Sequence, residues 1–193
     1  MDKKKIVSIC GVIVVIVVIA VCIAIVYFSK QDVATAENEL QQTIEKYGSV
    51  EKETVNTVIA KLNTEIMDGG LNTPATDDSM VIENELYWYA LTENISCYVR
   101  TVDFSGDKEK DFAELISLYF DKEGYNEETA TNYFKKLIKS NKADLTEQEI
   151  DNLVKEAKAN IRTDKMTNNG QGISVAIVET DNHYEYQVKR LYK

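Results

Sequence analysis

Residues 6–28, IVSICGVIVVIVVIAVCIAIVYF, show no polar phase at all: the run holds no charge, no amide side chain and no proline. As a helix it would span about 34 Å, enough for a hydrocarbon core of roughly 30 Å. Val and Ile dominate it, and in lipid a backbone can pair only within its own helix. A secretory signal peptide has an apolar region of about 7–15 residues. The longer run therefore predicts a retained transmembrane anchor. The competing expectation is cleavage after Ala36, where Ala34 and Ala36 form an A-x-A pair. Lys3, Lys4 and Lys5 precede the run and Lys30 alone follows closely. The positive-inside bias then makes residues 1–5 a cytoplasmic stub and places residues 29–193 outside the membrane.

Beyond the run, the apolar positions change period several times. Val33, Ala36, Leu40, Ile44 and Tyr47 recur at helical spacing up to Gly48, so residues 29–48 suit a helical stalk continuing the anchor. Val55, Val58, Ile59, Leu62 and Ile66 form a second stripe, ended by Gly69-Gly70. The short joint GSVEK predicts an antiparallel helix pair, and LNTPATDDS (71–79) reads as loop. Tyr-, Val- and Ile-rich stretches near 80–83, 86–92 and 95–104 predict strands joined as hairpins.

Three helices are expected next. Phe112, Leu115, Ile116, Tyr119 and Phe120 make the first stripe. Ala130, Tyr133, Phe134, Leu137 and Ile138 make the second, with Asn126 as N-cap. Ile150, Leu153, Val154, Ala157 and Ile161 make the third, opened by a Thr146/Glu149 capping box. RTDKMTNNGQG reads as loop, and ISVAIVE-TDNH-YEYQVKR as a final hairpin turning near Asp181-Asn182. The sum is one α+β domain: an antiparallel sheet of about five strands with about five helices packed on it.

Charge narrows the partners. Removing Asp2 from the 32 acidic residues, and Lys3, Lys4, Lys5 and Lys30 from the 22 basic ones, leaves 31 and 18, a net of −13. Such a surface repels phosphate and excludes nucleic acid as a partner. It suits divalent cations or basic partners, and simple solubility is the competing use. Cys10 and Cys22 lie in the apolar run, so Cys97 has no intramolecular disulfide partner outside and is expected as a small buried hydrophobe. The Lys-, Asn-, Ile- and Glu-rich composition with the single proline Pro74 is of bacterial type.

Candidate chemistry is sparse. His183 is the single histidine and falls in a predicted turn, which leaves no catalytic triad and no metal set. Asp103 to Glu114 has oxygen ligands at alternate positions, yet Lys108 stands where a calcium loop needs glycine. The two glycines of NGQGISV lead into a strand, the reverse of a phosphate-binding order. No cofactor, metal or catalytic residue is expected.

The aromatic set Tyr87, Trp88, Tyr89, Tyr98, Tyr184 and Tyr186 remains, all on predicted strands. Tyr and Trp are favoured binding anchors, and a sheet alternates its faces, so several can line one surface. Core or cross-strand packing is the competing use. The expected function is thus a single-pass, membrane-anchored extracytoplasmic binding domain, held by residues 6–28 and meeting another envelope or membrane protein. The alternatives are an anchored carboxylate-dependent hydrolase, and an accessory subunit whose helix packs through Ala20 and Ala24.

Overall fold

The structure is a computed structural model that describes residues 38–39, 41–71, 75, 80–82, 86–161, 166–168 and 171–192. The predicted anchor at 6–28, the cleavage site after Ala36 and most of the 71–79 loop lie outside these residues. Among the described residues, no helix is long and apolar enough to cross a membrane. Two compact units are distinguished, 1–43 and 44–193. A helical segment covers 41–47, and the sheet with its helices belongs to the second unit.

That sheet is antiparallel throughout. Five long strands, β2 (Leu86–Thr92), β3 (Ile95–Thr101), β4 (Ala113–Asp121), β6 (Ile173–Glu179) and β7 (His183–Arg190), carry a short strand at each edge, β1 (Met80–Ile82) and β5 (Thr167–Asn168). The order across the sheet is β1-β2-β3-β4-β7-β6-β5. Three helices, α1 (Val55–Asp68), α2 (Glu127–Asn141) and α3 (Glu147–Ala159), pack on one face. The α+β class and the expected strands are all present.

One expected helix is instead a strand. The spacing over 112–120 predicts an amphipathic helix, but Ala113–Asp121 is β4, at the centre of the sheet. Ile116, Leu118 and Phe120 enter the helix-covered core, while Leu115, Ser117 and Tyr119 take the other face. Apolar residues on both faces erase the period-two signal and imitate a three- and four-residue spacing. A stretch of nine residues is also at the short limit for a helix. β5 adds a two-residue pairing within a stretch whose composition predicts loop.

The helices form where local signals place them. Asn126 accepts from the Thr129 N–H at 2.8 Å, with Glu127 and Glu128 in the first turn of α2. Thr146 and Glu149 close their capping box on α3. The buried faces of α1, α2 and α3 are the predicted stripes, and they meet Tyr87, Cys97, Ile116, Tyr186 and Val188 in one core. Cys97 is fully buried, and burial pushes its thiol up to about 12.

The GSVEK joint is more than a helix–helix turn. Residues 47–54 run as a strap across one end of the sheet. The Gly172 N–H donates to Tyr47 O, the Val50 N–H to Leu191 O and the Ala113 N–H to Glu53 O, at 2.7, 2.8 and 3.0 Å. Gly172 has φ +94° and lies so close that a Cβ there would sit 2.3 Å from the Ser49 carbonyl carbon. Arg190, only 2% exposed, fastens the strap. Its guanidinium donates to Asn141 Oδ1 at 2.7 Å, Glu51 O at 2.9 Å and Glu53 Oε2 at 2.8 Å. Removing Glu53 leaves a buried cation without its counter-charge, a change that costs about 3–5 kcal/mol. Glu53→Ala is therefore expected to lower the urea midpoint by that amount of stability, and the added change Arg190→Met should recover part of the loss. A neutral Glu53→Ala would show the pair to be dispensable.

A second buried charge fixes the loop between β3 and β4. Asp111, 2% exposed, accepts from the Tyr87 hydroxyl at 2.6 Å, from the Ser105 hydroxyl and N–H, and from the Gly106 N–H. Burial alone would push its carboxyl up. The Ser105 and Tyr87 hydroxyls and the two backbone donors outweigh that and hold it below the usual carboxylate range. A carboxylate depressed by folding stabilises fully above its unfolded pKa, about 3.9, and loses that contribution as pH falls through the folded value. Asp111→Asn turns an acceptor into a donor facing donors, a loss of about 2–4 kcal/mol. The variant's deficit should be constant from pH 5 to 7 and shrink below pH 4 in denaturant melts. A deficit that grows on acidification would refute this role.

Candidate functional site

Strand alternation divides the six candidate aromatics between two faces. Tyr87, Tyr89 and Tyr186 point under the helices and are fully buried. Burial pushes the Tyr87 hydroxyl well above its usual range, and its bond to Asp111 adds to the shift. The Tyr186 and Tyr125 hydroxyls share a hydrogen bond of 2.7 Å, and the Tyr186 ring meets Phe120 and Phe134 edge-on. These three build the core.

Tyr184 is half-buried on the helix side, near the turn between β6 and β7. It stacks on Tyr125 at 4.4 Å, and Lys122 lies over its ring at 5.3 Å. Lys122 also pairs with Glu179 at 3.0 Å, and the Tyr184 hydroxyl donates to the same carboxylate.

Trp88 and Tyr98 belong to the opposite face, which α1, α2 and α3 leave open. They are directly paired across β2 and β3. Two residues outside the sequence-based set extend it. Tyr119, which a helical 112–120 would conceal, meets Tyr98 at 4.3 Å. His183, expected in a surface turn, is the first residue of β7 and meets Tyr119 at 4.7 Å. The Thr180 hydroxyl holds its Nδ1 at 3.1 Å and accepts from its backbone N–H. Four rings thus run diagonally across four adjacent strands, Trp88 on β2, Tyr98 on β3, Tyr119 on β4 and His183 on β7.

Beside this ladder lies a half-open groove of about 330 Å³ lined by Tyr98, Tyr119, Ser117, Arg100, Glu185 and Gln187. Ser117 forms the floor because its neighbours across the sheet, Tyr98 and Gln187, are long. The groove is electrically uneven. At one end Glu114 lies between Arg100 and Lys189, at 3.5 and 3.6 Å. At the other, Glu185 is the cross-strand partner of Tyr119. Burial, then the Glu185 charge, push the Tyr119 hydroxyl up. Burial, then the charges of Asp121 and Glu185, raise Tyr98 against an opposing contribution from the neighbouring Trp88 indole. The negative field at this end is therefore felt by both rings.

A second groove, of about 310 Å³, contains Lys135, Lys136 and Lys139. Two of its cations are engaged, Lys135 with Asp151 and Lys139 with Glu147, and the Lys136 stem lies close against Gly69. Among the described residues, no three His, Cys, Asp or Glu side chains converge as metal ligands. The register of β3 on β4 places Tyr119 beside Tyr98, and with the period-two signal of β4 erased no sequence pattern points to it. Nothing local in the sequence brings His183 and Glu185 to them. Comparison with protein-family models, with curated proteins and with solved structures finds no match to this chain.

Proposed function

We propose that this chain is a single-pass, membrane-anchored binding protein that presents its α+β domain outside the membrane and meets an envelope or membrane protein through the open face of the sheet. Residues 6–28 support the anchor by length and composition. The aromatic ladder and its groove carry the binding reading. Trp and Tyr lie half-buried there and uncovered by the helices, while equivalent rings on the other face are sealed in the core. Rigid aromatic side chains gain contact area at little entropic cost, which suits a surface held by sheet backbone.

A hydrolase built on carboxylates calls for an acid whose pKa is raised in a cleft. The buried carboxylate Asp111 is shifted the other way and is bound by its own loop. That observation favours binding over hydrolysis.

Two measurements in intact cells check the proposal. A cysteine at exposed Glu156 on α3 should react with a membrane-impermeant maleimide, against little background from buried Cys97. A photoreactive residue at Gln187, on the open face, should give a discrete adduct that one at exposed Lys155, on α3, does not. Labelling only after lysis would overturn the topology. Adducts from position 155 with none from 187 would overturn the choice of face.

A further inference from the structure

We propose that the Tyr98, Tyr119 and Glu185 end of the groove receives a lysine side chain from an extended, basic segment of the partner protein. This rests on the open face being the binding surface and adds the chemistry of what is bound.

The fold contains its own precedent. On the helix side, Glu179 and Tyr184 are cross-strand partners, the tyrosine hydroxyl donates to the carboxylate, and Lys122 completes the set over the ring and beside the acid. On the open face, Tyr119 and Glu185 are again cross-strand partners, a tyrosine beside a carboxylate in the same register relation. Tyr98 adds a second ring at 4.3 Å. Among the described residues, no lysine or arginine pairs with Glu185. An ammonium there would gain the attraction of an aromatic face and of a carboxylate at once.

Charge points the same way. Arg100, which lines the groove, and Lys189 beyond it are engaged by Glu114 at the far end. Glu185 and Lys189 are four residues apart on one face of β7, so roughly 13 Å separates the two ends. Asp121, opposite His183, adds negative charge near Tyr98. With 31 acidic and 18 basic residues beyond Lys30, the surrounding surface draws a basic segment toward the groove instead of repelling it. The groove is half-open, with Ser117 between Tyr98 and Gln187 at its floor. An extended chain fits such a shape, as a compact anion or a flat ring would not.

Trp88 makes the test direct, because it is the only tryptophan of the whole chain and stands on the ladder. The full-length protein is placed in nanodiscs of zwitterionic lipid and titrated with a lysine-rich decapeptide, a glutamate-rich decapeptide and a neutral oligosaccharide. The lysine peptide is expected to change Trp88 emission saturably. Glu185→Gln should weaken it about three- to fivefold, the loss of one exposed ion pair, and Glu156→Gln, the same charge change on exposed α3, should leave it unchanged. Gln187→Lys, which offers an ammonium in cis, should weaken it as Glu185→Gln does.

Equal losses in the Glu185 and Glu156 variants would reduce the effect to diffuse charge and overturn the proposal. Response to the glutamate peptide or the saccharide in place of the lysine peptide would overturn the lysine assignment and leave the open-face reading standing. Silence toward all three, together with a silent photoreactive residue at position 187, would overturn both.

Discussion

The pairing of β7 with β4 closes the sheet over a long stretch of chain, because α2, α3, β5 and β6 all intervene between the two strands. Seven residue pairs set the register, from Leu115 opposite Lys189 to Asp121 opposite His183. Side chains alternate with period two, so a slip of one residue would expose Tyr186 and Val188 and bury Glu185 and Gln187. The core therefore enforces the register, and the register in turn assembles the open face. Tyr119 meets His183 and Glu185 only because Phe120 meets Tyr184 beneath them. The candidate site is a by-product of packing on the other side of the same strands.

Polar burial fixes the ends of this arrangement. Arg190 closes the end of β7 by reaching both α2 and the strap, and the Asp111 carboxylate ties the loop before β4 to Tyr87 on β2. Each charge is surrounded by partners from distant segments, so each penalises alternative packings more than it adds to stability. Gly172 belongs to the same device. The strap passes over it at a distance that no side chain would allow. Its neighbourhood in the sequence looks like a failed phosphate loop, and its use is instead a close crossing of two backbones.

Local signals were legible where the physics is local. The Thr146–Glu149 capping box, the Asn126 cap and the stripes of α1, α2 and α3 depend on neighbours within four residues. β3 and β7 were legible by alternation, with Ser96 and Arg100 or Glu185, Gln187 and Lys189 on one face, and β2 and β6 by their aromatic and β-branched composition between turn residues. β4 was not, because a central strand with Ile116, Leu118 and Phe120 on one side and Leu115 and Tyr119 on the other shows no alternation to read. For the same reason the site was half legible. Trp88 and Tyr98 were in view, whereas Tyr119 was hidden by the helical spacing. The separation of Tyr98 from Tyr87, Tyr89 and Tyr186 depends on register, which sequence spacing within one strand does not supply.

Magnitudes decide what kind of ligand the open face can hold. A cation against an aromatic ring gains about 0.5–2 kcal/mol, and an exposed ion pair about 0–1 kcal/mol. One lysine at Tyr119 and Glu185 thus falls far short of the roughly 8 kcal/mol that a micromolar complex requires. The remainder has to come from area, and the open face supplies it in a line from Trp88 on β2 to Gln187 on β7. A single cation would bind too weakly to matter, whereas a segment crossing several strands adds apolar contact at each ring and places its charge only once. Tethering both partners to one membrane would further raise their effective concentration and lower the affinity needed. The same arithmetic explains why the internal copy of the motif, Lys122 with Tyr184 and Glu179, is embedded among stacked rings instead of standing alone: the pair contributes little until its surroundings hold it in place.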